Sequence, residues 1–406
     1  MPATLLRPLG LCFALVLPAL LTRFAGLTPD PVVGLLVFGA AVVAASFVLA
    51  WTAEAAQADI SGGLAIAILA VIAVLPEYAV DLYFAFTAGT NPEYVAYAAA
   101  NMTGSNRLLL GLGWSLVVLL GLLVAKRRTG RTVRELVLES GHRVELGFLA
   151  IASVVAFVIP VSGQISLAFG IVLLLFFGFY LWKVAQGEHE EPDLVGPAAR
   201  IGALPRRSRR ILVGTLFLGA AAVILASAEP FAHNLIASGR QLGVDEFLLV
   251  QWLAPLASEA PEFIVAILFA LRGNGGAALG TLISSKVNQW TLLVGSLPVA
   301  YLIGGGGAGG LVLDARQTEE FLLTATQTLL GVAALLALRF PRWAAWTLLA
   351  LFAAQFALPG QTARYVLCGV YTVIAIAALV RNRAHILPTL AAPFRRERAR
   401  ERELVG

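Results

Sequence analysis

The stretch Pro76-Glu77-Tyr78-Ala79-Val80-Asp81-Leu82-Tyr83-Phe84-Ala85-Phe86 is answered, without a gap, by Pro261-Glu262-Phe263-Ile264-Val265-Ala266-Ile267-Leu268-Phe269-Ala270-Leu271. Pro, Glu, Val, Phe and Ala coincide, and in both copies a carboxylate directly follows a proline inside an apolar run. Further on, Asn101-Met102-Thr103-Gly104-Ser105-Asn106 is answered by Thr281-Leu282-Ile283-Ser284-Ser285-Lys286, each opening another apolar run. Such self-similarity marks a chain assembled from two copies of one unit.

The 406 residues are 59% hydrophobic and 13% charged, about half the usual ionisable content. A soluble chain cannot hide that much apolar surface. Twelve apolar runs, near 8–27, 32–56, 62–88, 94–124, 145–160, 165–183, 211–228, 244–271, 275–304, 318–338, 343–358 and 364–380, predict an all-α polytopic membrane protein. The first run is expected to be a retained helix rather than a cleaved signal, because Arg23 interrupts its end and no small-residue cleavage pattern follows. A net charge of +5 does not call for a nucleic-acid partner. Lys126 to Arg143, Lys183 to Arg210, Arg339 to Arg342 and the tail from Arg381 to Arg402 all fall on one side. The opposite loops hold isolated arginines such as Arg240, Arg316 and Arg364. The positive-inside rule then places both termini in the cytoplasm, with the cell membrane as the expected location.

Five spans separate the two copies, so the second crosses the bilayer in the opposite sense. The expected organisation is an extra helix in 1–31, a first repeat in 32–183, a cytoplasmic linker in 184–210, a second, inverted repeat in 211–360, and a further helix with a basic tail in 361–406. Inverted repeats allow one midplane site to open to either side. Each proline lacks an amide hydrogen, so a helix break is expected just before Glu77 and Glu262, freeing carbonyls for a hard cation.

Six ionisable residues fall within predicted spans: Glu77, Asp81, Arg107, Glu259, Glu262 and Lys286. Lipid-exposed and unpaired, they would together cost about 15–20 kcal/mol. They must face one another or water. Glu77 and Asp81 are four apart and Glu259 and Glu262 three apart, so each pair shares a helix face. Arg107 and Lys286 are expected to balance part of this charge, Lys286 by pairing with Glu259 or Glu262. Cys12 and Cys368 lie in apolar runs far apart, and His142, His189, His233 and His385 are scattered. No disulfide framework, zinc site or catalytic triad is implied. An intramembrane aspartyl protease would need a second membrane aspartate beside Asp81. The chain is therefore not expected to be an enzyme, and no cofactor is expected beyond a transported cation.

At these residues the chain resembles the cation/calcium exchanger superfamily, which includes sodium/calcium and proton/calcium antiporters. The family repeats G-T-S-L-P-E followed by G-N-x-x-G-S. The first copy here reads Ile72-Ala73-Val74-Leu75-Pro76-Glu77 with Ala100-Asn101-Met102-Thr103-Gly104-Ser105. The second reads Ala257-Ser258-Glu259-Ala260-Pro261-Glu262 with Gly280-Thr281-Leu282-Ile283-Ser284-Ser285, and Ser227-Ala228-Glu229-Pro230-Phe231 is similar to the family's G-A-E-x-[FL]. The resemblance implies that Glu77 and Glu262 are the central ion-binding carboxylates, Ser105 and Ser285 ligand serines, and Ser258 the ligand hydroxyl of the second repeat. It places Gln289 at a ligand position whose first-repeat counterpart is Leu109. Asp81 and Asn101 are left with charge-balancing or structural roles.

The departures bear on the ion. Ala73 and Val74 replace hydroxyl residues, Glu259 replaces a serine, and Lys286 adds a fixed positive charge. A sodium shell needs several oxygens, so exchange of a cation, calcium or sodium, for protons is expected, by two spans sliding past a bundle. Two alternatives stay open: sodium/calcium exchange with Glu259 standing in for a lost hydroxyl, and a non-transporting member whose site is locked by Lys286. Oligomeric state is not written in the sequence, and the mixed-charge tail Arg395 to Arg400 is expected to rest on anionic headgroups.

Overall fold

A computed structural model of the protein describes residues 3–59, 74–186, 194–358 and 360–395. Residues Ile72 and Ala73, the acidic stretch Glu188 to Asp193 and the tail beyond Arg395 lie outside the described residues. The helices are α1 (Ala3–Phe24), α2 (Pro31–Ala56), α3 (Leu75–Ala88), α4 (Tyr94–Thr129), α5 (Arg143–Val155, extended by Val158–Ser162) and α6 (Leu167–Val184). A short α7 (Gly196–Gly202) leads into α8 (Arg206–Leu242), α9 (Glu246–Leu271), α10 (275–303), α11 (Ala315–Leu335), α12 (Arg342–Ala357), α13 (Gln361–Arg381) and α14 (Ile386–Ala391).

Among the described residues every apolar run contains a helix, the run 62–88 only from Leu75 on, because its part up to residue 73 lies outside the described residues. Among the described residues, eight helices are long and apolar enough to cross a membrane by themselves. The helices α10, α11 and α12 occupy three of the other runs, and α3 the described part of the fourth. Of these, α10 and α11 carry buried polar side chains, among them Lys286, Gln289, Glu319 and Glu320, and that polarity dilutes their apolar signal. The run ending near residue 228 is an underestimate, because α8 continues for 37 residues through Pro230. At a rise of 1.5 Å per residue that is about 55 Å, well beyond the hydrocarbon thickness. The Asn234 amide donates to the Pro230 carbonyl at 2.7 Å and supports the turn after the proline.

Helix starts follow local chemistry. Asp30 accepts from the Val32 amide ahead of α2, Asp245 from Phe247 ahead of α9, and Asp314 with Gln317 forms a reciprocal capping box at α11, each satisfying amides the first turn leaves free. Pro76 lies in the first turn of α3, where a missing amide hydrogen costs nothing. The expected break before Glu262 does not occur: α9 is continuous through Pro255 and Pro261. One absent hydrogen bond per proline leaves the carbonyls of Gln251 and Ala257 without their helical donors, yet packing on both sides keeps the helix straight enough to continue. The Gln251 carbonyl instead abuts Gly104 of α4, where any Cβ would lie 1.7 Å from that oxygen.

Inversion is visible in the backbone. The strand β1 (Glu135–Val137), after α4, pairs antiparallel with β4 (Arg339–Pro341), after α11. At the other end of the bundle β2 (Gln164–Ile165), between α5 and α6, pairs with β3 (Leu311–Val312), between α10 and α11. Exchanging the repeats turns one ribbon into the other. Both α4 and α10 also widen to a π turn just past the motif serines, at Leu109–Trp114 and Gln289–Leu293. The most extensive helix–helix packing is between α2 and α8, the first helices of the two repeats.

Candidate functional site

Four helices converge where the two motifs meet. Glu77 on α3, Ser105 on α4 and Glu259 on α9 are buried, as is Gln289 on α10. The Ser105 hydroxyl donates to Glu77 Oε1 at 2.5 Å and is also in close contact with Glu259 Oε1. Gln289 Nε2 reaches the same atoms, at 3.1 Å from Glu77 Oε1, 2.8 Å from Ser105 Oγ and 2.9 Å from Glu259 Oε1. Two carboxylates from opposite repeats therefore meet on one hydroxyl and one amide. Glu262 sits one turn along α9, where Ser285 donates to its Oε2 at 2.6 Å, and its charge acts on both Glu77 and Glu259.

The two halves are not equally open. Glu77 and Ser105 are buried, whereas their counterparts Glu262 and Ser285 are only half-buried. Asn101 is buried, and its counterpart Thr281 is exposed. Thr281, Ser285 and Gln289 recur every four residues, so they form one stripe on α10 running from the surface to the cluster. That stripe begins at the end of the bundle bearing Arg128 and Arg272, which are joined there by a 2.6 Å hydrogen bond from the Arg128 guanidinium to the Arg272 carbonyl. The opposite end is closed over α3 and α4 by the ring cluster of Tyr83, Phe84, Tyr94 and Tyr97. There Glu93 accepts from Tyr97 at 2.9 Å and from Arg240 at 2.7 Å.

The structure redistributes several expected roles. Arg107 does not neutralise the carboxylate cluster. It points the other way, forming a buried ion pair with Glu320 of α11, which also binds Arg364 of α13. Arg107 further donates to Gln355 at 2.9 Å and lies 5.0 Å over the Trp252 ring. Arg364 is thus a buried residue, not a loop arginine. Glu319 and Glu320 sit in the first turns of a predicted span, where a carboxylate reads as a solvated helix start. Only the buried arginines on two other helices reveal their role. Lys286 forms no direct ion pair with Glu259 or Glu262; its Nζ donates to the Asn106 carbonyl at 2.5 Å, although its charge acts on Glu259 and Glu77. Asn106 and Lys286 are counterparts in the two repeats, so this bond lies on the internal two-fold axis. Ser258 turns away from the cluster, bonding to the Ala254 and Pro255 carbonyls at 3.2 and 3.4 Å. Leu109 is buried among apolar neighbours. Tyr78, which the motif comparison left without a role, donates to Asn288 at 2.7 Å and ties α3 to α10.

A pair of inverted helical repeats, each bringing a carboxylate and a serine to one buried centre, defines an ion-exchanger architecture. Residues 31–185 and 212–358 match the sequence profile of the family described as "Sodium/calcium exchanger protein", and the chain belongs to that family. A solved structure described as the H+/Ca2+ exchanger CAX is 41% identical, with a TM-score of 0.89 over 95% of this chain and 97% of that one. Native YfkE (17% identity, TM-score 0.63, 89% and 98% coverage) and the sodium-calcium exchanger NCX_Mj (18%, 0.52, 86% and 98%) share the fold. A comparison with curated proteins gives no match.

Proposed function

We propose that the protein is a secondary-active antiporter that exchanges calcium for protons at the Glu77–Glu259–Glu262 centre, and that it is not an enzyme. The observation that carries this reading is the sharing of Ser105 by Glu77 and Glu259. A hydroxyl has one hydrogen to give, so the second carboxyl oxygen at Ser105 Oγ must bring a proton of its own. A centre able to hold that proton, or to release it when a divalent cation draws both carboxylates to itself, couples the two ions by competition. Calcium prefers six to eight oxygens. Glu77, Glu259, Glu262, Ser105 and the Gln289 carbonyl oxygen, which has no hydrogen-bond partner, supply much of that number, and the Ala257 carbonyl freed by Pro261 is a further donor.

Alternating access follows from the repeats. In the observed arrangement the second repeat opens Glu262 toward the basic face, which we infer from the positive-inside rule to be cytoplasmic; exchanging the roles of the repeats opens Glu77 to the other side. We infer a cell-membrane location with both termini in the cytoplasm. The relative described as an H+/Ca2+ exchanger supports the choice of ions. The test is calcium flux in sealed proteoliposomes under imposed gradients. An imposed pH gradient should drive calcium uptake with sodium absent. Flux that follows sodium and ignores the pH gradient would replace this reading with sodium/calcium exchange in which Glu259 supplies the lost oxygen.

A further inference from the structure

One helical turn from the central cluster lies a pair of polar side chains that the exchange site does not use. Asp81 follows Glu77 by four residues on α3, and Asn101 precedes Ser105 by four on α4, so in these antiparallel helices they form the next rung. Both are fully buried. Asn101 is the side chain within hydrogen-bonding reach of the Asp81 carboxyl, and neither the two Asp81 oxygens nor the nitrogen and oxygen of the Asn101 amide have any other partner.

Charged neighbours offer Asp81 no neutralisation. The charge acting on it is another acid, Glu77. Of the elements packed against α3, α4 bears Arg107, engaged by Glu320. On α8, Glu229 is held by Arg23 and Arg240 by Glu93 and Glu246, α9 contributes the acids Glu259 and Glu262, and on α10 Lys286 is bonded to the Asn106 carbonyl, with its charge acting on Glu259 and Glu77. The phenol of Tyr78 is committed to Asn288. An ionised Asp81 would accept one amide hydrogen and leave its other oxygen against the Asn101 carbonyl, an arrangement that burial makes costly. A carboxylic acid has the complementary inventory, one O–H donor and one C=O acceptor, matching the C=O and N–H of an amide. Together they close a ring of two hydrogen bonds that satisfies all four atoms.

We propose that Asp81 is the proton relay between the aromatic-capped face and Glu77. The first repeat is closed here, but the counterpart of Asn101, Thr281, is exposed. When the repeats exchange roles, the Asp81–Asn101 rung opens to water on the capped side. Asp81 then gives up its acid proton: its O–H bond breaks as the proton passes one turn along α3, where an O–H bond forms on the Glu77 carboxylate, and the ionised Asp81 is reprotonated from water at the same face. The counterpart of Asp81 is Ala266, so the relay serves one face only.

The inference rests on proton coupling at the central site and is tested separately from it. In proteoliposomes of defined orientation, exchange is measured while the pH is varied on one side at a time. Asp81→Asn, which can keep a paired amide ring, should slow proton-driven calcium flux about a hundredfold or more, the low end for loss of a positioned proton-transfer group. It should flatten the dependence on pH at the capped face, leave the dependence at the basic face intact, and bind calcium as the wild type does. Asp81→Glu should restore part of the rate. A wild-type rate and capped-face pH profile in Asp81→Asn would overturn the relay while leaving proton coupling standing. Loss of calcium binding in both Asp81→Asn and Asp81→Glu would overturn it in favour of a purely structural residue. Loss in Asp81→Asn of a sodium dependence present in the wild type would overturn it in favour of a sodium site.

Discussion

Removing Glu320 should damage the fold more than removing Arg107, because Glu320 is the shared partner of two buried guanidinium groups. In Glu320→Met, Arg107 loses its carboxylate altogether, and Arg364 keeps only Glu319, at 3.6 Å. Stranding a buried charge in this way costs about 3–5 kcal/mol. In Arg107→Met, Glu320 retains Arg364, so the loss is closer to that of a hydrogen bond to a charged group, about 1.5–3 kcal/mol. The double variant leaves no stranded Arg107–Glu320 partner and should cost less than the sum by about 1–3 kcal/mol. The assay is reversible unfolding of the four proteins in one detergent, run as a double-mutant cycle. Additive losses, or a Glu320 variant milder than the Arg107 variant, would refute the pairing. A large change in calcium affinity in Arg107→Met with stability intact would return Arg107 to the carboxylate centre.

Glu77→Gln and Glu262→Gln should each abolish exchange in proteoliposomes, and Gln289→Leu should weaken calcium binding about tenfold or more, since it removes the unpartnered carbonyl oxygen assigned to the ion, an interaction with a charged group of about 1.5–3 kcal/mol; isothermal titration checks the latter. Thr281→Cys should react with an impermeant maleimide added at the basic face, whereas Asn101→Cys should be protected from the basic face and react from the capped face only slowly, and faster once Tyr97→Ala loosens the ring cluster; labelling of both cysteines equally from the basic face would contradict the one-sided opening. Asp59, beyond the end of α2, is bound by both nitrogens of an Arg209 fork at 2.7 and 2.8 Å. That hydrogen-bonded pairing, with further attraction from Arg210 and Arg206, holds its carboxyl down at about 2 from an ordinary 3.8. Because the folded value lies below the unfolded one, the anchoring is complete above about pH 4 and disappears only as the pH falls through about 2. Proteolysis between residues 194 and 210 should therefore be insensitive to pH across the neutral range, yet faster in Asp59→Asn.

The repeat was legible because Pro-Glu is a rare pair in an apolar segment, and the two copies led directly to α3 and α9. The same motif misled about backbone: Pro261 does not break α9, since a single missing donor is tolerated inside a packed bundle. The buried acids Glu77 and Glu259 stood out in the sequence itself, and the family resemblance added Ser105 and Gln289, but neither could say that Glu259, rather than Glu262, would meet Glu77 across Ser105. That contact depends on how four helices rotate against one another. Ser258 looked like a ligand until its hydroxyl was seen to bond back along its own helix, a choice that periodicity does not reveal. Arg107, Glu320 and Arg364 are far apart in the chain, Arg107 within one predicted span and the other two at the starts of two more, so nothing local shows that they form one buried triad.

The ribbons at the two ends of the bundle are hybrids, each taking one strand from either repeat. A separated half would carry two bare strand edges, each with amides and carbonyls seeking a mate. Each ribbon therefore stitches one repeat to its inverted sibling, once at either end of the bundle, so the two halves are fastened to each other by main-chain bonds as well as by their packed helices.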